Sequence, residues 1–166
     1  MTAQSFKTNK GFTLIELLVV IGILAILLAI TLIAINPARQ FGQANDTNRR
    51  SAVTQVLNAI GQYSASNSGN LPTDVGDDTL LPKGGPAKVL NSTNFPTLCA
   101  QLVPTYLPAI PVDPSGNDQN GIEVGDCAGA WTTAGSTSGY AISRDTNNRI
   151  TVSATNPYAG PIQVTR

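Results

Sequence analysis

The sequence contains no histidine, and charged side chains make up only 12% of its residues. Without an imidazole, the commonest general base is missing, and so are the metal and nucleophile sites that depend on one. The 10 basic and 10 acidic side chains balance to a formal net charge of zero and form no basic run of the kind that nucleic-acid binding requires. The composition therefore argues against an ordinary hydrolase and against a nucleic-acid-binding protein.

The longest apolar run, residues 12–35, contains three side chains that are neither apolar nor glycine: Thr13, Glu16 and Thr31. As a helix rising 1.5 Å per residue, it would be about 36 Å long, enough to cross a hydrocarbon core of roughly 30 Å with some tilt. It is too long for the core of a secretory signal. We predict that residues 12–35 form a transmembrane or filament-core helix.

A hydrophilic leader, residues 1–11, precedes this run, carries Lys7 and Lys10 and ends in Gly11. Its positive charges do not settle the orientation of the span, because three arginines follow the span closely. The segment KGFTLIE, residues 10–16, resembles the cleavage and methylation site of type IV prepilins and of type II secretion pseudopilins.

The resemblance implies that a prepilin peptidase cuts after Gly11 on the cytoplasmic side and that Phe12 becomes the N-methylated first residue. The chain is then a single-pass protein of the cytoplasmic membrane before assembly, and part of an extracellular or cell-surface filament afterwards. The implied partners are other pilin subunits in a homopolymer, the prepilin peptidase, an assembly ATPase and a platform protein. Nucleic acid is not among them.

Glu16 is the acidic residue of the apolar run, where a carboxylate costs about 2.5 to 3.5 kcal/mol on insertion scales. After cleavage it would lie one helical turn from the freed amine of Phe12, near the positive end of the helix dipole. The resemblance implies that Glu16 meets the terminal amine of a neighbouring subunit and sets the register of assembly. The alternative is a polar residue tolerated near the membrane interface.

Asn36 and Pro37 interrupt the run, because proline removes a backbone donor and clashes with the preceding turn. Two interpretations stay open: a kink or break, or a second helix that Pro37 opens with Asn36 as its N-cap. Beyond them, apolar residues recur at intervals of three and four and predict an amphipathic helix ending between Ser66 and Asn70. Its apolar face comprises Phe41, Ala44, Ala52, Val53, Val56, Leu57, Ile60 and Tyr63. Side chains pointing elsewhere are Arg49, Arg50, Thr54, Gln55 and Asn58.

The remainder, residues 67–166, is predicted to be a globular head. A short helix from Asn94 and Pro96 to Pro104 and an antiparallel hairpin turning at residues 146–148 are expected within it. The helix carries Leu98, Cys99 and Leu102, and the hairpin carries Tyr140, Ile142, Ile150, Val152 and Ala154. A third strand near residues 162–164 and a long loop over residues 115–138 complete it.

The predicted fold class is therefore α+β: a long N-terminal helical spine packed on a small antiparallel sheet, as in type IV pilins. The four parts are the cleaved leader 1–11, the apolar helix 12–35, the amphipathic half of the spine 36–66, and the head 67–166.

The two cysteines, Cys99 and Cys127, both lie in the part expected outside the cell, where thiols are more often joined than free. A bond closing a loop of about 29 residues would stabilise the head by roughly 3 to 4 kcal/mol. We predict a disulfide, the alternative being two unpaired buried thiols.

The head also contains a candidate calcium site, because Asp113, Ser115, Asn117 and Asp118 are closely spaced oxygen donors. Major pseudopilins, which this chain resembles, use a C-terminal loop for calcium. The segment lacks the glycine and glutamate of an EF-hand loop, and the same residues also form turns. No other cofactor is expected.

The acidic residues Asp74, Asp77 and Asp78 are interpreted as solvated loop acids rather than catalytic carboxylates, since nothing apolar surrounds them in sequence. Trp131 is interpreted as a partly buried core residue rather than a ligand-stacking one.

The favoured function is a structural, non-enzymatic subunit of a type IV pilus-like filament serving adhesion, twitching motility or DNA uptake. A pseudopilin of a type II secretion system is the first alternative. The second is a membrane-tethered enzyme or binding module whose apolar run is an uncleaved anchor.

Overall fold

The computed structural model describes residues 11–115, 127 and 138–166. The chain divides into two compact units, Met1–Gln40 and Phe41–Arg166. The helices are α1 (Leu14–Ile35), α2 (Pro37–Ser66), α3 (Thr73–Gly76) and α4 (Leu98–Leu102). The strands are β1 (Lys88–Val89), β2 (Tyr140–Arg144), β3 (Ile150–Ala154) and β4 (Gln163–Thr165). A long apolar N-terminal helix followed by a small antiparallel sheet confirms the predicted α+β, pilin-like fold class.

Helix α1 is the one helix in the described part of the chain that is long and apolar enough to cross a membrane. Its mean hydropathy is 3.3, and none of its residues is buried. The helix is not amphipathic, because nearly all its side chains are aliphatic. Such a helix needs lipid or other protein around it.

The break between α1 and α2 follows the second of the two interpretations. Asn36 ends α1 with φ 40°, in the left-handed region that asparagine tolerates better than most residues. Its Oδ1 accepts a hydrogen bond from the backbone N–H of Arg39 at 3.4 Å, as an N-cap does. Pro37 is the first residue of α2, a position whose backbone N–H has no acceptor within the helix, so the N–H that proline lacks is not needed there.

Helix α2 ends at Ser66, within the predicted range, and its middle carries a buried apolar face. The predicted face is wrong at its N-terminal end, because Phe41 and Ala44 are exposed. Arg49, placed on the polar face, is buried. The face that enters the core comprises Ala52, Val53, Val56, Leu57, Ala59 and Ile60.

The four strands form one antiparallel sheet in the order β1-β2-β3-β4. The predicted hairpin is β2 and β3, in which Ile142 pairs with Val152 and Tyr140 with Ala154. Its turn uses Asn148 at φ 63°, where asparagine is tolerated. The third predicted strand is β4, whereas the two-residue β1 was not predicted.

The predicted short helix of the head is α4, on which Leu98, Cys99 and Leu102 are all buried. These side chains, the buried face of α2 and the inner residues of β2 and β3 form one core cluster. The sheet is therefore the partner that the amphipathic half of the spine requires.

Candidate assembly site

The N-terminus of α1 is closed by a reciprocal capping box between Thr13 and Glu16. The Glu16 backbone N–H donates to Thr13 Oγ1 at 3.3 Å, and Glu16 Oε2 accepts from the Thr13 N–H at 2.8 Å and from its hydroxyl at 2.7 Å. This pairing satisfies backbone donors that a helix start leaves open. This capping box was not predicted, although a threonine three residues before a glutamate at the start of an apolar run is its signature.

The capping box holds the Glu16 carboxylate on the first turn of α1, next to the predicted cleavage point. Phe12, the predicted new N-terminus, is 87% exposed, and Glu16 is exposed as well. Both residues line a shallow apolar hollow with Ile15, Val19 and Val20. Both described hydrogen bonds to the carboxylate use Oε2, so Oε1 faces no donor among the described residues. The site can therefore offer one carboxylate oxygen to an incoming cation in apolar surroundings.

A family model described as the prokaryotic N-terminal methylation motif matches residues 6–32. The match spans the KGFTLIE segment and most of α1. No curated protein and no solved structure matches the chain.

Residues 6–32 are the class III signal peptide that type IV pilins and pseudopilins carry. Together with the apolar helix and the small antiparallel sheet, the motif supports the interpretation of this chain as a type IV pilin or pseudopilin. Proteins of this type are structural subunits rather than enzymes, and the motif implies processing by a prepilin peptidase and assembly with other pilin subunits. The motif and α1 also indicate anchoring in a membrane before assembly.

A buried ionic cluster between α2 and the head was not predicted. Arg49 of α2 donates from Nε to Asp113 Oδ2 at 2.7 Å and from Nη2 to Asp113 Oδ1 at 2.9 Å. Its Nη1 donates to Asp46 Oδ1 at 2.8 Å. All three side chains are at least 96% buried. The cluster ties α2 to the segment that follows α4.

The cluster keeps its charges despite burial. Burial alone would raise the pKa of Asp113, but hydrogen bonds from Arg49 and Ser115 outweigh it and lower that pKa below its usual range. For Asp46, burial is likewise outweighed, here by backbone N–H groups and by Arg49, and its pKa is also lowered. Hydrogen bonds to Asp113 and Asp46 raise the pKa of Arg49 despite desolvation. Burial, with the charge of Asp113, raises the pKa of Tyr140 to about 12.

The predicted calcium donors are only partly described. Both carboxylate oxygens of Asp113 accept from Arg49, and Oδ1 also accepts from the Ser115 N–H at 2.9 Å. Asn117 and Asp118 lie outside the described residues. Within residues 11–115, 127 and 138–166, no three acidic or cysteine side chains come together as a metal site. Calcium binding therefore stays a prediction.

The predicted disulfide is formed between Cys99 on α4 and Cys127, with a Cα–Cα distance of 5.5 Å. Cys99 is 1% exposed and belongs to the core cluster. The bond therefore ties Cys127 to a helix that is itself buried, whereas the rest of the predicted loop, residues 116–126 and 128–137, lies outside the described residues.

The three acidic residues on and directly after α3 differ from one another. Asp74 is buried, so its interpretation as a solvated acid is wrong: it accepts from the backbone N–H groups of Thr97 and Leu98 and caps the start of α4. Asp77 accepts from the Thr79 N–H at 2.7 Å. Asp78 is 67% exposed and pairs with Arg144. Trp131, interpreted as a core residue, lies outside the described residues.

Proposed function

We propose that this chain is a structural subunit of a type IV pilus-like filament, cut by a prepilin peptidase after Gly11, N-methylated at Phe12 and polymerised through α1. Before assembly, α1 holds the subunit in the cytoplasmic membrane, and the head lies outside. An assembly ATPase and a platform protein move it into a surface filament used for adhesion, twitching or DNA uptake. A pseudopilin of a secretion system uses the same steps and is the alternative within the class.

The observation that carries the proposal is the exposed capping box at the start of an uncovered apolar helix. Glu16 is the charged residue of α1, and no residue of α1 is buried within the chain. Lipid covers such a helix in the membrane, and other copies of α1 cover it in a filament. Each apolar side chain so buried contributes about 1.5 to 3 kcal/mol, so the helices supply the energy of assembly.

The role proposed for Glu16 follows from its position. Cleavage after Gly11 creates an ammonium group at Phe12, and the same event leaves Glu16 near the positive end of the helix dipole. In apolar surroundings, a carboxylate of one copy and an ammonium group of the next attract strongly, and an unpaired one is costly. Neighbouring copies are therefore held at the axial offset that brings the Glu16 carboxylate of one copy to the Phe12 ammonium group of the next.

Replacement of Glu16 tests this role. We expect Glu16→Ala to be cleaved and membrane-inserted but absent from filaments sheared off the native host. Thr31→Ala is the matched control, because it also removes a polar group from α1, one whose hydroxyl bonds only to Leu28 O at 2.9 Å among the described residues. Normal incorporation of Glu16→Ala would refute the register role.

Mass spectrometry of the native N-terminus tests the wider proposal. N-methyl-Phe12 is the expected first residue. An intact Met1, on a protein that never enters a filament, would instead support a tethered enzyme or binding module.

A further inference from the structure

A hollow of about 520 Å³ lies on the head, bounded by residues before and after α3, by the end of β2 and by the turn that follows β2. Its volume is within the range of about 300 to 1,000 Å³ that small-ligand sites occupy. Glycines aside, Leu71 is the one apolar residue among the described residues that line it. We call it the polar hollow, because the rest of its lining is polar or charged.

Arg144, the last residue of β2, fixes one wall of the polar hollow. Its side chain is only 3% exposed, and it donates from Nη1 to Gly76 O at 2.9 Å and from Nη2 to Leu81 O at 2.8 Å. Nη2 also pairs with the Asp78 carboxylate. Nε is a buried donor that finds no acceptor in the described part of the chain, a state that costs free energy until an oxygen atom accepts from it.

Two further side chains of the lining are held by neighbours outside it. Asp77 Oδ1 accepts from the N–H and from the hydroxyl of Thr79, both at 2.7 Å, and these bonds lower the pKa of Asp77, so that it is a charged acceptor. Two carboxylate oxygens offer about four acceptor sites, so acceptor capacity remains. Thr73 Oγ1 accepts from Gln101 Nε2 at 2.8 Å, which leaves the threonine's own O–H to donate.

The charges of the lining balance. The carboxylates of Asp77 and Asp78 stand against the cations of Lys83 and Arg144. Asn148, held in the turn at φ 63°, adds an amide that both donates and accepts. The polar hollow therefore offers fixed donors and fixed acceptors side by side, without net charge.

This combination selects a class of ligand. A lining without net charge gives an ion no Coulomb attraction, and a lining with one apolar side chain gives an aliphatic or aromatic ligand little to bury against. Neighbouring donors and acceptors suit a group that does both, and a hydroxyl is such a group. Because the protein groups are already held in place, little ordering cost remains to be met on binding. A small ring carrying several hydroxyls satisfies all these conditions.

We propose that the polar hollow binds a neutral saccharide, whose hydroxyls donate to the Asp77 carboxylate and pair with the Asn148 amide. The inference goes beyond the proposed function and does not rest on assembly, because the site belongs to the head of a single subunit. A divalent cation between Asp77 and Asp78 is the competing occupant, but Arg144 already pairs with Asp78, and Lys83 adds a second positive charge.

Amide chemical shifts of the isotope-labelled full chain, in a detergent without a sugar head group, test the inference. The chain is titrated with the methyl glycosides of glucose, galactose, mannose and N-acetylglucosamine. At least one glycoside is expected to shift the signals of residues 69–78 with a Kd on the order of 1 mM, the strength of a few hydrogen bonds to one small ring. Tetrahydropyran, the same ring without hydroxyls, calcium chloride and sodium sulfate are the control titrants and are expected to leave these signals in place.

Two replacements assign the binding to the polar hollow. Asn148→Gly removes the amide and keeps a residue that tolerates a positive φ, and Asp77→Asn removes the charge at nearly constant shape. Each is expected to raise the Kd about tenfold, the factor for one lost hydrogen bond of this kind. Asn147→Gly is the matched control, since Asn147 is the exposed neighbour of Asn148 and is outside the lining. Unchanged signals elsewhere in the spectrum report that each variant is folded.

Several results would overturn the inference: no shift of residues 69–78 with any of the glycosides, equal shifts with tetrahydropyran, or a response to calcium or sulfate alone. A Kd that folded Asn148→Gly and Asp77→Asn leave unchanged, or that Asn147→Gly raises equally, would overturn it as well. All of these measurements concern the unassembled subunit. An uncleaved Met1, or a native chain that never enters a filament, refutes the proposed function instead, so the two failures are distinguishable.

Discussion

Arg49 and Asp113 lie 64 positions apart in sequence and form a buried two-point ion pair between α2 and the head, with N···O distances of 2.7 and 2.9 Å. The planar guanidinium group matches the two carboxylate oxygens, which is the strong geometry for such a pair. Asp46, one turn before Arg49 on α2, uses the remaining Nη1 and also fixes Tyr158. One arginine therefore links α2, the segment after α4 and the segment before β4.

The first prediction concerns Arg49. We expect Arg49→Met to lower the free energy of unfolding of the head by about 3 to 5 kcal/mol, because Asp46 and Asp113 stay buried without their cation. Denaturant titration of the full chain in detergent, followed by near-ultraviolet circular dichroism, measures the change. Arg50→Met is the control, since Arg50 is exposed, and a loss of equal size there would contradict the cluster's role.

The second prediction concerns acid stability. The pKa values of Asp46 and Asp113 are lowered in the folded chain, so the unfolded chain takes up protons first as the pH falls. Their contribution is complete above the unfolded pKa of about 3.9 and is lost as the pH falls through the folded values. Denaturant titrations between pH 6 and pH 2 should show this fall, and Asp113→Asn should make it shallower. A pH dependence identical in Asp113→Asn would contradict the assignment.

The third prediction concerns the cap of α4. Asp74→Ala removes the acceptor of hydrogen bonds from the Thr97 N–H at 2.6 Å and the Leu98 N–H at 2.8 Å. We expect a loss of about 1 to 3 kcal/mol, because buried donors are left unsatisfied. Asp77→Ala, directly after α3, should cost less stability than Asp74→Ala in the same denaturant titration. Equal losses of unfolding free energy in the two variants would contradict a special contribution from the buried Asp74 carboxylate.

The fourth prediction concerns the disulfide. We expect replacement of Cys99 and Cys127 together by alanine to lower stability by about 2 to 5 kcal/mol, the range for small secreted domains. Thermal unfolding of the oxidised chain, the reduced chain and the double variant measures it. Reduction should reproduce the double variant; a reduced chain as stable as the oxidised one would contradict the prediction.

Much of the fold was predictable because it rests on patterns between near neighbours. The apolar composition of α1, the three- and four-residue spacing on α2 and the alternation on β2 and β3 each lie within one segment. The end of α2 near Ser66 and the start at Pro37 follow from turn formers and from proline geometry. The N-terminal motif is also local, and the match to residues 6–32 agrees with it.

The errors share one cause, which is that burial depends on partners distant in sequence. Arg49 was assigned to the polar face because its helical position and charge both favour solvent, yet Asp113 draws it into the core. Asp74 looked like a loop acid, because its partners, Thr97 and Leu98, lie on another element. Phe41 looked like a core residue, since nothing in its own helix shows where the core stops.

Residue order alone therefore determined the apolar spine, the processing motif at its start, the amphipathic half that follows and the hairpin, because each depends on spacings of a few residues. Tertiary structure decided which charges lie inside the head and which aromatic side chains stay outside. The physical reason is that an ion pair or a packed ring is stabilised by the surfaces that meet there, and chain folding alone brings those surfaces together.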